Sequence, residues 1–272
     1  MNRFVLVGAA GCVLVGTGLV RGLQAKQESR KMQTATEKAI VHAGDGTVNG
    51  LRIGAYENVW NFYLTKKDGG RKLLGRWEDE VTILERDGKE VLQRVQHARA
   101  ETGVVTTFID EVDHATFLSY TSHVQRSGQE PMFDLQFSGS TVKGLRPILP
   151  HNANGIETVS STTSITLDEP VYNWNLWGVL VAAFPLDEGY SSRFLCYSMT
   201  APAESPLLWV DLDVVGRETI DAGARGEVDC WIVDVNADAD WRLWIATDPS
   251  YAPVVKIRIR SANDVERWWI PI

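Results

Sequence analysis

The sequence lacks the short motifs that identify the common catalytic and metal centres. It contains no His-Glu-x-x-His, no Cys-x-x-Cys, no Walker-type phosphate loop and no Gly-x-Ser-x-Gly. Each of these motifs carries its chemistry through fixed spacing, so zinc peptidases, P-loop nucleotidases and serine hydrolases have no signature here. The chain therefore gives no motif from which a reaction can be inferred.

Basic residues are also in short supply. The chain has 27 Lys and Arg against 35 Asp and Glu, a net charge of −8, and no dense basic cluster lies outside residues 21–38. Residues 1–25 contain Arg3 and Arg21 and no acid, so the remainder is more acidic still. A nucleic-acid-binding face needs positive charge to displace counterions from phosphates. We therefore expect no nucleic-acid partner.

Cysteine is scarce, with three in the chain and only Cys196 and Cys230 beyond residue 50. An envelope location would permit a disulfide between them. In a simple meander their strands flank the 207–215 strand and stand about 9–10 Å apart, whereas a disulfide needs Cα atoms within about 7 Å. We expect two buried free thiols, although a different strand order would allow the pair to form.

Alternation of apolar and polar residues is abundant. In the first run Trp60 and Phe62 fall on one side of an extended backbone and Asn61 falls on the other, and Asp68-Gly69 and Asp87-Gly88 end the first two runs. This pattern predicts an antiparallel meander with one apolar face. The predicted strands lie at 56–65, 77–83, 90–97, 104–112, 116–124, 131–137, 193–199, 207–215, 228–235, 241–247, 253–260 and 265–270.

The middle of the chain interrupts this alternation. Residues 144–164 contain prolines, asparagines and a Ser/Thr cluster without periodicity, which predicts a long loop. A helix is predicted next, with Asp168 as its cap, Pro170 in its first turn and Pro185 after its end.

Aromatic and aliphatic residues of this predicted helix recur at helical spacing, among them Trp174, Trp177, Val181 and Phe184. The apolar stripe either packs against the sheet as ordinary core or lines part of a ligand cavity.

The N-terminal region differs from the rest. Residues 4–20 form an unbroken run of apolar and small residues, which is short for a membrane span. It predicts a cleaved signal peptide, a retained anchor or a lipoprotein signal modified at Cys12. Residues 26–50 are polar and read as a linker. The predicted division is 1–25 signal peptide or membrane anchor, 26–50 linker and 51–272 a single domain.

The charges around this apolar run leave the location of the domain open. Five basic residues follow the run and one precedes it, and such a bias favours the cytoplasmic side. We nevertheless predict a periplasmic or other envelope location, because an apolar segment followed by a polar tether is typical of exported or anchored domains.

The candidate polar residues for a catalytic centre alternate with apolar residues along strands. This holds for His97, His123 and the carboxylate pairs Asp211/Asp213 and Glu78/Glu80. Such spacing is typical of a solvent-facing strand surface. We predict a non-enzymatic protein with no metal and no cofactor.

The second half of the chain contains a series of strand-and-turn segments in a fixed order. They are Phe-Pro-Leu-Asp-Glu-Gly-Tyr at 184–190, Val-Gly-Arg-Glu-Thr-Ile at 215–220, Ala-Gly at 222–223, Val-Asp-Cys-Trp-Ile-Val at 228–233, Trp-Ile-Ala-Thr-Asp-Pro at 244–249 and Pro-Val-Val-Lys at 253–256. This series resembles a family of bacterial envelope proteins known as domain of unknown function 3108. The resemblance implies the architecture of periplasmic lipoprotein carriers, a half-barrel of antiparallel strands that shelters acyl chains on its concave face. It supplies no catalytic residues.

Together these features predict a mostly-β half-barrel, curved over one main helix, that holds a lipid or a lipoprotein acyl chain. The candidate lining residues are Trp60, Phe62, Trp77, Trp174, Trp177 and Trp231. The alternative is a structural module with a filled core, which would dock an envelope protein through its sheet edges or the 144–164 loop. An enzyme assembled from scattered polar residues is a third alternative.

Overall fold

The computed structural model describes residues 38–65, 69–148, 159–199, 201–202, 204–261 and 265–272. The strands of the first half are β1 (Ala39–Val41), β2 (Tyr56–Thr65), β3 (Arg71–Arg86), β4 (Lys89–Ala100), β5 (Val105–Asp113), β6 (Ser119–Arg126), β7 (Pro131–Ser138), β8 (Thr141–Ile148) and β9 (Val159–Thr166). Those of the second half are β10 (Tyr172–Asn173), β11 (Ser191–Tyr197), β12 (Leu207–Asp221), β13 (Glu227–Asn236), β14 (Asp240–Ala246), β15 (Val254–Arg260) and β16 (Glu266–Pro271). One α-helix, α1 (Trp177–Ala182), and 3-10 turns at Gly50–Arg52, Trp174–Leu176 and Gly223–Arg225 complete the described part.

All the described strands belong to one curved sheet. Its order is β1-β11-β12-β13-β14-β15-β16-β2-β3-β4-β5-β6-β7-β8-β9, with β10 alongside β11. The pairings are antiparallel except those of β1 and β10 with β11. The sheet is open, with β1 and β9 at its two ends. The predicted fold class, a mostly-β antiparallel curved sheet over one helix, is confirmed.

The two meanders join where β16 pairs with β2. Trp269 lies opposite Phe62 in this pairing. Side chains of β2 also reach β15, the strand on the far side of β16. Asn58 Nδ2 and Trp60 Nε1 each donate a 2.9 Å hydrogen bond, to the carbonyl oxygens of Val254 and Val255. These bonds satisfy carbonyls next to an irregularity in the β14–β15 pairing, as buried polar groups require.

A glycine allows the sheet to bend beside this junction. Gly75 of β3 has a φ of 157°, and a Cβ built there would lie 2.0 Å from the Arg99 carbonyl oxygen. The β2–β3 register shifts at the same point. Glycine is required here because only a residue without a Cβ allows this close backbone approach.

Residues 172–184, which we call the plug, lie against the inner face of the curved sheet. The side chains of Val179, Leu180 and Val181 are fully buried. A helix that is apolar all round belongs inside a core. The plug therefore buries the apolar face that the curved sheet would otherwise expose.

The predicted helix is wrong in its start and its length. Only Trp177–Ala182 is α-helical, and Asp168 and Pro170 lie outside it. Asn173 caps the preceding 3-10 turn instead, by accepting a 3.0 Å hydrogen bond from the Asn175 backbone N–H. The chain before this turn stays extended because β10 pairs with β11.

The predicted loop at 144–164 is also wrong at both ends, because β8 continues to Ile148 and β9 begins at Val159. The Ser/Thr cluster forms the edge strand β9, whose residues 161–166 alternate between half-buried and exposed. An edge strand of this composition carries no apolar periodicity, so the pattern resembled a loop. Residues 149–158 lie outside the described residues.

The predicted linker 26–50 differs from the structure in its last part. Residues 39–41 form β1 beside β11, and Val41 and Val48 are buried. Short buried contacts in a polar segment leave no periodic signal in the sequence. The predicted signal peptide or anchor, with Cys12, lies outside the described residues. In the described ranges, no helix combines the length and the apolar character needed to cross a membrane.

The expectation of two free buried thiols is confirmed. The strands of Cys196 and Cys230 flank β12 as predicted, and the two residues pair with Leu208 and Glu218 of that strand. These partners are far apart along β12, roughly 30 Å at the rise of an extended chain. Burial raises the pKa of the Cys230 thiol to about 12.

The contact between the plug and β15 gives a test of the packing. A Cβ at Gly178 would lie 2.7 Å from Cγ2 of Val254, so we expect Gly178→Ala to lower the free energy of unfolding by about 1–3 kcal/mol through overpacking. Gly216→Ala is the control, because its Cβ would meet its nearest neighbour, Ile232 Cδ1, at 3.8 Å. Urea unfolding followed by tryptophan fluorescence measures both. Equal midpoints for Gly178→Ala and wild type would contradict the packing.

Candidate functional site

All six predicted lining residues lie among the inner-face core or pack against it. Trp60 and Phe62 belong to β2, Trp77 to β3 and Trp231 to β13, while Trp174 and Trp177 belong to the plug. The exposed fractions are 0% for Trp60, 3% for Trp77, 5% for Trp174 and 8% for Trp177. Phe62 and Trp231 are partly exposed.

The structure places four of these six aromatics in two clusters instead of one continuous lining, and Trp60 lies in neither cluster. The sheet cluster consists of Phe62, Trp77, Phe108 and Trp269. Phe62 stacks on Trp269 with ring centroids 4.5 Å apart, and Trp77 stacks on Phe108 at 5.5 Å. Phe108 and Trp269 were not among the predicted lining residues, and both are buried in the main core.

The plug cluster consists of Trp174, Trp177 and Trp241 of β14. The ring centroid of Trp241 is 5.5 Å from that of Trp174 and 5.9 Å from that of Trp177. Trp231 belongs to neither cluster, and the Arg217 guanidinium lies 5.5 Å from the centre of its ring. The ring contacts within the plug cluster stabilise the packing of the plug beyond what its buried area contributes.

A buried polar cluster lies beneath the plug, consisting of Asp79, Arg94, Asp110, Ser122, Asn173 and Asn175. The register brings Arg94, Asp110 and Ser122 directly opposite one another across β4, β5 and β6. Because side chains alternate along a strand, these three share the inner face.

Arg94 forms the central ion pair of this cluster. Its Nε and Nη2 donate to the two carboxylate oxygens of Asp79 at 2.8 and 2.9 Å, and both side chains are fully buried. The Tyr56 hydroxyl donates to the same carboxylate at 3.0 Å. Arg94 Nη1 also donates to the Leu176 carbonyl at 3.1 Å, and the guanidinium lies 4.5 Å from the Trp177 ring centre. The ion pair thereby ties the plug to the sheet.

Asp110 makes the second connection between sheet and plug. It accepts hydrogen bonds from Ser122 Oγ at 2.5 Å, from Asn173 Nδ2 at 3.2 Å and from Asn175 Nδ2 at 2.5 Å. Burial raises the pKa of Asp110 to about 6, although the Ser122 hydrogen bond and the charge of Arg94 act in the opposite direction. Its carboxyl group therefore titrates near neutral pH inside the core.

None of the residues of this cluster was among the site residues predicted from the sequence. Arg94 and Gln96 fall in the same strand phase as the inner residues Leu92 and Ala98. A polar residue in the apolar phase of a strand is the signal that identifies such a cluster.

The polar residues considered from the sequence lie elsewhere. His97 Nδ1 is 3.0 Å from Thr107 Oγ1, and His123 Nδ1 is 3.6 Å from the Asp134 carboxylate. Asp211 and Asp213 pair with Arg193 and Lys38. Within the described part of the chain, no group of three or more His, Cys, Asp or Glu side chains could hold a metal ion.

Comparisons with known proteins identify a family without an assigned function. The family model described as "Protein of unknown function (DUF3108)" matches residues 59–264. Among solved structures, the chain is similar to a beta-barrel-like protein of domain of unknown function DUF1849 from Brucella abortus. The two are 9% identical, and the similarity covers 81% of this chain and 97% of that one with a TM-score of 0.49. None of the curated proteins matches the chain.

The titration of Asp110 gives a pH-dependent prediction. Its carboxyl has a pKa of about 6 when folded, against an ordinary value of 3.8 for aspartate. A raised folded-state pKa means that this group's stabilisation is complete below the unfolded pKa and is lost as the pH rises through about 6. Between pH ~4 and ~7 we expect the free energy of unfolding of the wild type to fall by on the order of 2 kcal/mol because of this group. The Asp110→Asn variant should not show this fall.

Urea unfolding at a series of pH values measures this difference. Glu57→Gln, which removes an exposed carboxylate from β2, should keep the wild-type pH dependence. An unchanged pH dependence in Asp110→Asn would show that Asp110 does not carry the buried charge.

Proposed function

We propose that this chain, which belongs to the DUF3108 family of proteins of unknown function, binds a hydrophobic molecule without catalysing a reaction. The proposed ligand is a lipid or a lipoprotein acyl chain, and the proposed site is the inner face of the sheet where the aromatic packing reaches solvent. The observation that carries the proposal is the partial exposure of Phe62 and Trp231 beside an otherwise buried aromatic core.

The sheet cluster is the stronger half of this site. Phe62 stacks on Trp269, and the indole nitrogen of Trp269 is buried with no hydrogen-bond partner among the described residues. An apolar chain packed on Phe62 would extend the aromatic surface, and a carbonyl or ester oxygen of the ligand could accept the Trp269 N–H. A buried donor without an acceptor costs free energy, so a ligand that supplies one gains affinity.

The plug would be the cover of such a site. Its apolar helix and the plug cluster occupy the inner face, so a long ligand would have to lie beside the plug or displace part of it. Arg94 and Asp110 hold the plug through hydrogen bonds to Leu176, Asn173 and Asn175. Access of a large ligand would therefore require these bonds to break.

The proposed location is the cell envelope, with the domain either periplasmic or tethered to the membrane. The support is the apolar run at residues 4–20, which reads as a signal peptide or an anchor. The non-enzymatic assignment is supported by the environment of the buried polar cluster, whose carboxylates are bonded to the chain's own side chains.

A second candidate function is a structural module with a filled core that docks an envelope protein. The burial of Trp60, Trp77, Trp174 and Trp177 favours it, because these four predicted lining residues already pack against the chain itself. In that case a partner would contact the outer surface or the open edges of the sheet, β1 and β9.

Native mass spectrometry of the full-length protein, before and after solvent extraction, tests the first proposal. We expect an extra mass that extraction releases as lipid, and less of it in Phe62→Ala/Trp231→Ala, because both substitutions remove partly exposed inner aromatic surface. Trp209→Ala is the matched control, since Trp209 is 46% exposed on β12, and should keep the wild-type load.

The same experiment separates the two candidates. An apo mass for wild type, with no uptake of offered fatty acid or phospholipid, would reject ligand binding and favour the filled module. Equal lipid loss in Trp209→Ala would show that the lipid is held nonspecifically.

A further inference from the structure

The outer face of the sheet carries a group of cations and indoles on neighbouring strands. We call Arg71, Trp244, Lys256, Arg258 and Trp268 the cationic patch. Lys256 of β15 lies directly opposite Trp244 of β14, and Arg258 lies opposite Trp268 of β16. Trp244 belongs to a small core cluster separate from the main core, and Trp268 packs against it.

The cations of the patch converge on the two indole rings. The Trp244 and Trp268 ring centroids are 6.2 Å apart. Lys256 Nζ lies 4.2 Å from the Trp244 centroid and 5.6 Å from the Trp268 centroid. The guanidinium carbons of Arg71 and Arg258 lie 4.7 and 6.0 Å from the Trp268 centroid. Three positive groups thus surround one ring.

These three cations have no carboxylate partner within salt-bridge distance among the described residues. Other outer arginines have one: Arg193 pairs with Asp211 at 2.6 Å and Arg242 pairs with Asp234 at 2.6 Å. An unpaired group of cations is unexpected in a chain of net charge −8, where carboxylates outnumber basic residues.

The nearby carboxylates are already engaged. Glu218 accepts the Trp244 indole N–H at 2.6 Å, Asp234 is bound by Arg242, and Glu266 is bound by Arg260. The buried Nε of Arg258 has no hydrogen-bond acceptor in the described structure. An anion at the patch would supply the missing acceptor and the missing charge.

The crowding of positive charge also affects the pKa of Lys256. Burial lowers its pKa, and the charges of Arg71 and Arg258 lower it further, while Glu218 acts in the opposite direction. The ammonium group is therefore in an environment that an added anion would stabilise.

We propose that the cationic patch is a binding site for a phosphate-type anion, either free or as the head group of a larger molecule. A tetrahedral anion offers several acceptor oxygens, and guanidinium and ammonium groups are the side chains that bind phosphate best. The indole faces of Trp244 and Trp268 provide an apolar surface for carbon atoms attached to the anion. This site lies on the outer face, so it is independent of the proposed hydrophobic site.

Titration calorimetry of the full-length protein with inorganic phosphate and with glycerol phosphate tests the proposal for soluble anions. Cosedimentation with phosphatidylglycerol-containing vesicles, compared with pure phosphatidylcholine vesicles, tests it for head groups. In each assay that shows wild-type binding we expect Lys256→Gln/Arg258→Gln to weaken it roughly tenfold or more, because two charge-assisted contacts are lost. Rising salt should weaken binding as well.

Arg193→Gln is the matched control, since Arg193 also lies over an indole, that of Trp209 at 5.8 Å, but is paired with Asp211. It should bind as wild type does. Arg71→Gln, which changes an exposed residue at the start of β3, provides a second variant should the double variant unfold, and should weaken binding severalfold.

Binding of soluble phosphate supports a site for free anions, and binding of anionic vesicles alone supports a head-group site. The proposal is overturned if wild type binds neither phosphate nor anionic vesicles in preference to neutral ones. It is also overturned if folded patch variants bind as wild type does, or if Arg193→Gln loses as much binding.

Discussion

The interaction on which the rest of the structure depends is the buried ion pair between Arg94 and Asp79. A curved sheet of this size cannot bury its inner face by itself, and the plug fills the space with apolar side chains. The ion pair fixes where the plug lies, because Arg94 also binds the Leu176 carbonyl and lies over the Trp177 ring. Breaking it would leave a charge without a partner in the core, which is costly. The aromatic clusters are thereby held in one arrangement.

The two faces of the sheet offer different chemistry. The inner face is closed by apolar and aromatic contacts, and Phe62 and Trp231 mark where those contacts reach solvent. The outer face carries paired charges over most of its strands and an unpaired group around Trp268. A molecule with an apolar part and an anionic part would find complementary surfaces on this protein, but on opposite sides of the same sheet.

Much of the sheet could be predicted from the sequence, because alternation along a strand is a local property that burial of one face imposes. The conformation of the plug could not be predicted from the sequence, because Trp174 and Trp177 recur at helical spacing although only part of the segment is helical. The edge strand β9 could not be predicted either, because it has no buried face to produce an apolar pattern. Arg94 lies opposite Asp110 because β4 pairs with β5 in one particular register. The residue pattern alone does not specify that register.

The pairing of β16 with β2 determines the order in which this sheet can be completed. During synthesis β2 finds β3 at once, but its other edge stays unpaired until β16 has emerged, after every other strand of the sheet. Contacts that join distant parts of a chain form slowly. Among the strand edges that become paired in the folded sheet, this edge of β2 therefore waits longest for its partner in the nascent protein, and pairing with a wrong strand during that time would block the closure of the sheet.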